Sequence, residues 1–410
     1  MGEEEPKTPA VRNTKRRDPS ISEARRALEE LGLNAAYDEM RAAIVVTGPL
    51  PWDLNAKSRN WNELDDAQLI SLLEDCINLR SEKTLGNAMT IYTRERSFNP
   101  LTDELDNLVW DGRERAGSLL CKCLGAQDCD YTRAAETVYL CGSVMRAYRP
   151  GSKFDYVLTL VGAGGLGKST FVRKAALHDA YFTDCIGDLG NVKTTGEGLS
   201  GKWQAELPEL SGMNGHSLES VKAGITRASD TYRQAYGKRA YDHPRATVFV
   251  ATTNTIGFLK EKSSGARRFL PVLCGVSDIK MSVHSPEFAH EIAQTWAEVV
   301  GWMKKGDPRF SCALSAEMEA EAMHQREGFL EEDPRVDAIN TYLADNRDHP
   351  VCSLEIAEKV LMRDPDVKLC REICSILNNE CPGWKFAKKI ICGSYGKQRA
   401  WRYTPPNAEK

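Results

Sequence analysis

Residues 154–177, FDYVLTLVGAGGLGKSTFVRKAAL, constrain the fold more than any other stretch of the chain. Apolar residues dominate 154–161, a glycine-rich turn follows, and KSTFVRKAAL has the composition of a helix. Strand, loop and helix in that order, with the spacing Gly162-x-x-x-x-Gly167-Lys168-Ser169, form a phosphate-binding loop. Glycines let the backbone wrap closely around phosphate oxygens, and the amides opening the helix point at the anion with the helix dipole behind them. Lys168 is placed to bridge the β- and γ-phosphates, and the Ser169 hydroxyl to ligate Mg²⁺. Gly162, Gly164, Gly165, Gly167, Lys168, Ser169 and Thr170 are therefore the candidate nucleotide-binding residues of an α/β fold, with a flexible glycine turn as the alternative.

A chain of 410 residues has room for two or three domains. Its net charge of −4 gives no global attraction to nucleic acid or to an anionic membrane, so any such contact must come from local basic patches. No apolar run approaches the roughly 20 residues that span a bilayer, and MGEEEPKTPAVRNTKRR has no apolar signal core. Thirteen scattered cysteines suit reduced thiols, and the expected location is the cytoplasm. Cys121, Cys123 and Cys129 lie close together but lack paired CxxC spacing or a nearby histidine, and are read as small core residues rather than zinc ligands.

Residues 1–20 are polar and charged and read as a disordered tail, although RNTKRR could touch phosphates. From 21 to 150 the pattern is mainly helical. SEARRALEEL opens on Ser22, a cap candidate, DDAQLISLLEDCINL has helical spacing, and a long helical run covers 131–148. Pro150 and Gly151 break that run and deliver the chain to the phosphate-loop strand. The DCD at Asp128–Asp130 resembles the paired aspartates of a nucleotidyl transferase, but lies between helical segments and reads as a solvated loop, leaving no polymerase or primase site.

Beyond the loop, GKWQAELPEL is a short strand candidate ending at Glu206, with Pro208 stopping it and Glu209 just beyond. Either acid could hold Mg²⁺ through water or take a proton from an attacking water; surface acids beside a helix start are the alternative. SLESVKAGITRASDTYRQAYGKRAYDHPR interleaves Lys222, Arg227, Arg233, Lys238, Arg239 and Arg245 with Tyr232, Tyr236 and Tyr241, which suits a single-stranded nucleic acid or a solvated helical hairpin. ATVFVATTN is a buried strand whose terminal Asn254 could orient a water or merely cap a turn. Arg267 and Arg268 stand directly before a further apolar strand, able to reach the γ-phosphate of a neighbouring subunit or to form structural ion pairs.

The order GxxxxGKS, WxxEL, the basic–aromatic segment with DxYR and YGKR, TTN and GARRF resembles the ATPase core of the virulence-associated protein E family, which belongs with the superfamily 3 helicase-type AAA+ ATPases of phages and plasmids. The resemblance extends to Leu108-Val-Trp-Asp-Gly-Arg-Glu-Arg115 and to Pro150-Gly-Ser-Lys-Phe-Asp155. It implies that Lys168 and Ser169 bind phosphate and Mg²⁺, that Glu206 is the Walker B acid and metal-side group, that Asn254 is the sensor, and that Arg267 or Arg268 is a finger acting across a subunit interface. Lys222, Arg233, Lys238 and Arg239 then fall in the segment that grips DNA in a central pore. Glu206 and Glu209 are separated by Leu207 and Pro208, whereas many such proteins have adjacent acids, so which glutamate activates water is open.

In the C-terminal third, residues 290–303 and 315–329 are helical and read as closing the core as a lid, with 306–332 a helical linker. Residues 354–362 and 367–379 read as helices, and 385–392, GSYG and 397–403 as a β-hairpin. Helices followed by a basic hairpin suggest a winged-helix-like domain over 333–406, with Lys388, Lys389, Lys397, Arg399 and Arg402 on or near the wing, binding duplex DNA or docking a protein. The expected architecture is an N-terminal helical domain over 21–150, a P-loop AAA+ core over 151–305 and this C-terminal domain. The expected function is that of an ATP- and Mg²⁺-dependent DNA helicase of a phage, prophage or satellite element, working as a hexameric ring beside a separate primase or initiator. An ATP-switched helicase loader, or an NTPase that interferes with a competing phage, is the alternative.

Overall fold

The computed structural model describes residues 18–186, 189–209, 223–233, 240–259, 266–330 and 333–404. Two units make up the chain, Met1–Phe329 and Leu330–Lys410.

The first unit opens with α1 (Ile21–Glu30), β1 (Ala35–Asp38), β2 (Ala43–Val46), β3 (Arg59–Asn60), α2 (Glu63–Ile77) and α3 (Glu82–Arg94). The cap of α1 is Ser20, two residues before the expected Ser22, and it forms a reciprocal box with Glu23. An antiparallel sheet, β1-β2-β3, interrupts what the sequence pattern presents as a helical region. Its strands are two to four residues long, too short to show an alternating pattern, and α1 and α3 cover them to form a core around Leu28, Val46, Leu69, Leu73 and Tyr92.

A second core of this unit begins at α4 (Pro100–Asn107), α5 (Leu119–Leu124) and α6 (Asp130–Tyr148). It continues through β4 (Val157–Val161), α7 (Lys168–Ala175), β5 (Phe182–Thr183), α8 (Val192–Leu199), β6 (Gln204–Pro208), β7 (Ser229–Tyr232), β8 (Tyr241–Pro244), β9 (Val248–Thr253), β10 (Phe269–Leu273), α9 (Pro286–Lys305) and α10 (Ala316–Glu327). Strands β10-β4-β9-β6-β5 form a wholly parallel five-stranded sheet. Helix α6 is buried on nearly every face, and Leu101, Leu120, Tyr139 and Val144 share one apolar cluster with Leu158, Leu160, Val250 and Leu270 of the sheet. The change of core therefore falls between Tyr92 and Leu101, not at the expected boundary of 150. Trp203 and Trp296 pack with ring centroids 4.6 Å apart and planes tilted by 47°, and their indole N–H groups donate to the carbonyls of Ser143 and Ala175.

The second unit comprises α11 (Pro334–Asp345), β11 (Val351–Cys352), α12 (Ser353–Lys359), α13 (Val367–Asn379), β12 (Trp384–Ile391) and β13 (Lys397–Tyr403). Its antiparallel sheet has the order β11-β13-β12, and Ile356, Leu369, Ile373, Leu377 and Trp401 fill its core. The short β11 is an addition to the expected helices and hairpin. No helix among the described residues is long and apolar enough to cross a membrane.

Candidate functional site

In a parallel sheet, ligands gather beyond the carboxyl ends of the strands where the chain reverses its direction of winding. Strand β4 occupies that position here, since the chain leaves it for the far edge strand β5, returns through β6 and β9, and passes over it to β10. Residues 162–167 follow β4 directly, and α7 begins at Lys168 with Gly167 as its cap. Gly167 has φ +87° and a Cβ there would lie 2.5 Å from Val283 Cγ2, so only glycine fits. At Gly165, φ is +85° and a Cβ would meet nothing within 4 Å, which leaves the outer side of the loop open to an approaching anion.

Side chains of Glu206 on β6, Thr252 on β9 and Asn254 just after β9 converge on this loop and on the start of α7. Lys168 is buried and its Nζ donates to the carbonyls of Gly162 at 2.7 Å and Ala163 at 2.9 Å and to Asn254 Oδ1 at 2.9 Å. Ser169 Oγ donates to Glu206 Oε1 at 2.6 Å, and Thr252 Oγ1 donates to the same oxygen at 2.6 Å. Glu206 is 2% exposed, which excludes the surface-acid alternative. Glu209 differs in every respect. It is exposed, sits just past the end of β6 with φ +47°, and its Oε2 accepts long bonds from Asn254 N at 3.3 Å and Thr253 Oγ1 at 3.4 Å. Left-handed backbone at a non-glycine residue costs roughly 1–3 kcal/mol, a strain typical of functional positions.

These residues fit a nucleotide with Mg²⁺. The loop is open where phosphates would lie, the first turn of α7 has no side-chain cap, and Ser169 and Glu206 present paired oxygens of the kind Mg²⁺ takes beside its waters. No group of three His, Cys, Asp or Glu side chains among the described residues could hold a metal unaided. Burial pushes the Cys121 thiol up to about 11 and that of Cys123 to about 12, as expected of packed, protonated cysteines. Thr252 is the site residue that sequence reasoning missed; the TTN run carried the signal, but only the sheet register brings Thr252 beside β6.

Arg267 and Arg268 lie in a 3₁₀ turn directly before β10. Phe269 pairs with Val157 and Leu273 with Val161, so these arginines stand at the opposite end of the sheet from residues 162–169. A five-residue strand separates the two ends, about 16 Å at the usual rise. Arg267 is exposed, whereas Arg268 is half-buried and its Nε has no hydrogen-bond partner among the described residues.

Within the basic–aromatic segment, Ser229–Tyr232 and Tyr241–Pro244 pair as antiparallel strands β7 and β8 rather than as helices. Arg233 is exposed at its end. Lys222, Lys238 and Arg239 lie outside the described residues. Arg245 is 3% exposed and donates twice to Asp230, and Arg227 approaches the same carboxylate, so these two arginines anchor the hairpin and do not face a ligand. In the C-terminal unit Lys388, Lys389, Lys397 and Arg399 are all exposed. Lys389 pairs directly across from Arg399, and Lys385 from Arg402, with a bulge between Phe386 and Lys389 where Lys388 takes φ +62°.

The segment 108–115 is held by acids. Asp111 grips the Arg115 guanidinium at 2.7 and 2.8 Å, Glu291 accepts from Arg115 Nε at 2.9 Å, and Glu298 accepts the backbone amides of Arg115 and Ala116. Glu136, fully buried, accepts those of Gly117, Leu119 and Leu120. Burial outweighs these bonds and raises its carboxyl to about 7. The WDGRER signature is thus clasped to α9, and the residues just after it, Gly117 to Leu120, are clasped to α6.

With this geometry in place, the virulence-associated protein E-like domain matches residues 105–331, more than half the chain, and the protein belongs to that family. Among solved structures, the apo structure of the NrS-1 C-terminal region (305–718) shares 12% identity, covers 94% of this chain and 100% of its own, and superposes with a TM-score of 0.51. A second crystal form of that region shares 11% identity with the same coverage and a TM-score of 0.48. At such identity the likeness speaks for the fold. No curated protein sequence matches the chain.

Proposed function

We propose that this protein is a Mg²⁺-dependent P-loop ATPase of the superfamily 3, AAA+ type, acting as a DNA helicase in the replication of a phage, prophage or satellite element in the bacterial cytoplasm. The observation that carries the reading is the convergence of Lys168, Ser169, Glu206 and Asn254 beyond the ends of three adjacent parallel strands.

Bound Mg·ATP supplies the phosphoryl group and the charge that polarises it. Lys168, which shares its three donors among two carbonyls and Asn254, has the protons to bind phosphate oxygens in their place. Ser169 and Glu206 hold the metal side, and Thr252 fixes the carboxylate rotamer by its own hydrogen bond. Glu209, exposed and weakly tethered to Thr253 and Asn254, is the carboxylate free to turn toward a water and take its proton. Asn254 orients that water. In this reading the buried glutamate binds and the strained one activates.

Because Arg267 and Arg268 stand about 16 Å from their own loop, they serve the site of a neighbouring copy, which calls for a ring, and by family resemblance a hexamer. The C-terminal unit is a winged-helix-like DNA-binding module. Its facing cations Lys389 and Arg399 repel one another unless a polyanion lies between them. A separate primase or initiator is the expected partner.

The test is ATP hydrolysis with Mg²⁺, with and without single-stranded DNA. Lys168→Ala is expected to abolish turnover while the circular dichroism spectrum stays unchanged. Wild-type turnover in that variant would sink the assignment.

A further inference from the structure

A cleft of the first unit lies apart from the phosphate loop. It encloses about 870 Å³ between the N-terminal sheet and the root of the β7–β8 hairpin, within the roughly 300–1,000 Å³ typical of ligand sites. Its walls include Tyr37, Arg94, Tyr148, Lys202, Tyr241 and Thr247, and no residue of 162–169 takes part.

We propose that this cleft binds a segment of single-stranded nucleic acid, with Tyr37 and Arg94 as a base-stacking platform and Arg94 and Lys202 as phosphate contacts. The proposal rests on the replication reading above. Four observations carry it. The Arg94 guanidinium lies 3.5 Å from the centroid of the Tyr37 ring, a flat cationic–aromatic surface that accepts any base face. Arg94 is exposed and has no carboxylate within ion-pair distance among the described residues. Lys202 likewise has none and gives its Nζ only to the carbonyl of Ala180 at 2.9 Å. Burial and the nearby Arg41 lower its pKa, the condition of a cation that gains from an added anion.

Two of the four lining acids, Asp106 and Asp230, are already held by cations. Asp106 is engaged by Lys304 and by the Tyr148 hydroxyl, and Asp230 by Arg245. Asp242 accepts from Thr231. Glu39 and Asp242 are exposed and have no cationic partner among the described residues, so these two acids oppose an incoming phosphate. On the hairpin side Tyr241 is 59% exposed, while Tyr232 is buried and stacked on His243 at 4.2 Å, so one ring is offered and the other is structural. A strand lying here would touch both the N-terminal sheet and the hairpin. That extended contact favours a polymer over a free nucleotide.

The test is fluorescence anisotropy of a labelled oligothymidylate, titrated without nucleotide so that a failure of the ATPase reading leaves the measurement intact. Arg94→Ala with Lys202→Ala is expected to weaken binding about fivefold or more, the loss of one stacked base or more, and Glu39→Gln to strengthen it. Thermal melting of each variant checks that the fold persists; if the double variant melts early, Arg94→Lys, which keeps the charge but not the planar stack, is expected to show an intermediate loss. Photocrosslinking of an iodouracil-substituted oligonucleotide is expected to label the peptide holding Tyr37 or Tyr241. Unchanged affinity in the double variant overturns the proposal. So does weakened binding of free thymidine triphosphate or of a peptide with no effect on the oligonucleotide.

Discussion

Lys168 and Asn254, 86 residues apart in the chain, meet at 2.9 Å through Nζ and Oδ1. The contact ties the first residue of α7 to the position just after β9 and couples the proposed phosphate-binding cation to the residue proposed to orient water. Asn254→Ala should therefore lower ATP turnover by about tenfold or more, a range typical for loss of one such group. Nucleotide affinity should change only a few-fold. Equilibrium binding of a fluorescent ATP analogue beside steady-state turnover separates the two; a pure binding defect would contradict the assigned role.

Glu206 and Glu209 should fail differently. Glu206→Gln should raise the Mg²⁺ concentration needed for turnover, because the Ser169–Glu206 oxygen pair is broken. Glu209→Gln should leave the Mg²⁺ dependence alone and lower kcat, by about 10²-fold if it is the general base. A Mg²⁺ titration of both variants decides.

The placement of Arg267 and Arg268 can be read by mixing. Lys168→Ala and an Arg267→Ala, Arg268→Ala double variant should each be inactive, yet recover part of the activity when combined. A mixed ring then contains interfaces with an intact loop from one copy and intact arginines from the next. No recovery in samples shown to exchange subunits would place the arginines in their own chain's chemistry or in none.

Buried Asp230 holds Arg245 at 2.7 and 2.8 Å. Asp230→Ala leaves a guanidinium that is 3% exposed without its carboxylate, a change that typically costs about 3–5 kcal/mol. Chemical denaturation should show a loss of that size, together with loosening of β7–β8.

Glu136 predicts a pH dependence. Its carboxyl is raised from the ordinary value to about 7, so the folded chain keeps a proton that the unfolded chain has already lost. Its stabilising contribution is complete below the ordinary carboxylate range, falls as pH climbs to about 7 and is gone above. Glu136→Gln should flatten the stability profile over that window. It should also destabilise the fold, because an amide presents only one acceptor oxygen to the amides of Gly117, Leu119 and Leu120.

The order of strand, glycine turn and helix in residues 154–177 was legible, because a glycine turn between a strand and a helix is a local signal. The β12–β13 hairpin was legible for the same reason. What was hidden is long-range. The four-residue strands β1 and β2 carry no period of their own, and their pairing depends on α1 and α3 packing over them. The contact of Thr252 with Glu206 follows from sheet register. Arg227 and Arg245 sit in a run of cations that looks uniformly solvated, and only burial separates the anchors from exposed Arg233.

The apolar cluster shared by residues 101–147 and the parallel sheet sets where this chain can be cut. A fragment starting at Pro150 would strip α6 from one face of the sheet and leave Leu158, Leu160, Val250 and Trp203 exposed to water. Such a piece would aggregate before its phosphate loop could be assayed. The smallest piece that keeps this core covered thus begins upstream of Asn99, and it carries the WDGRER clasp together with the proposed nucleotide site.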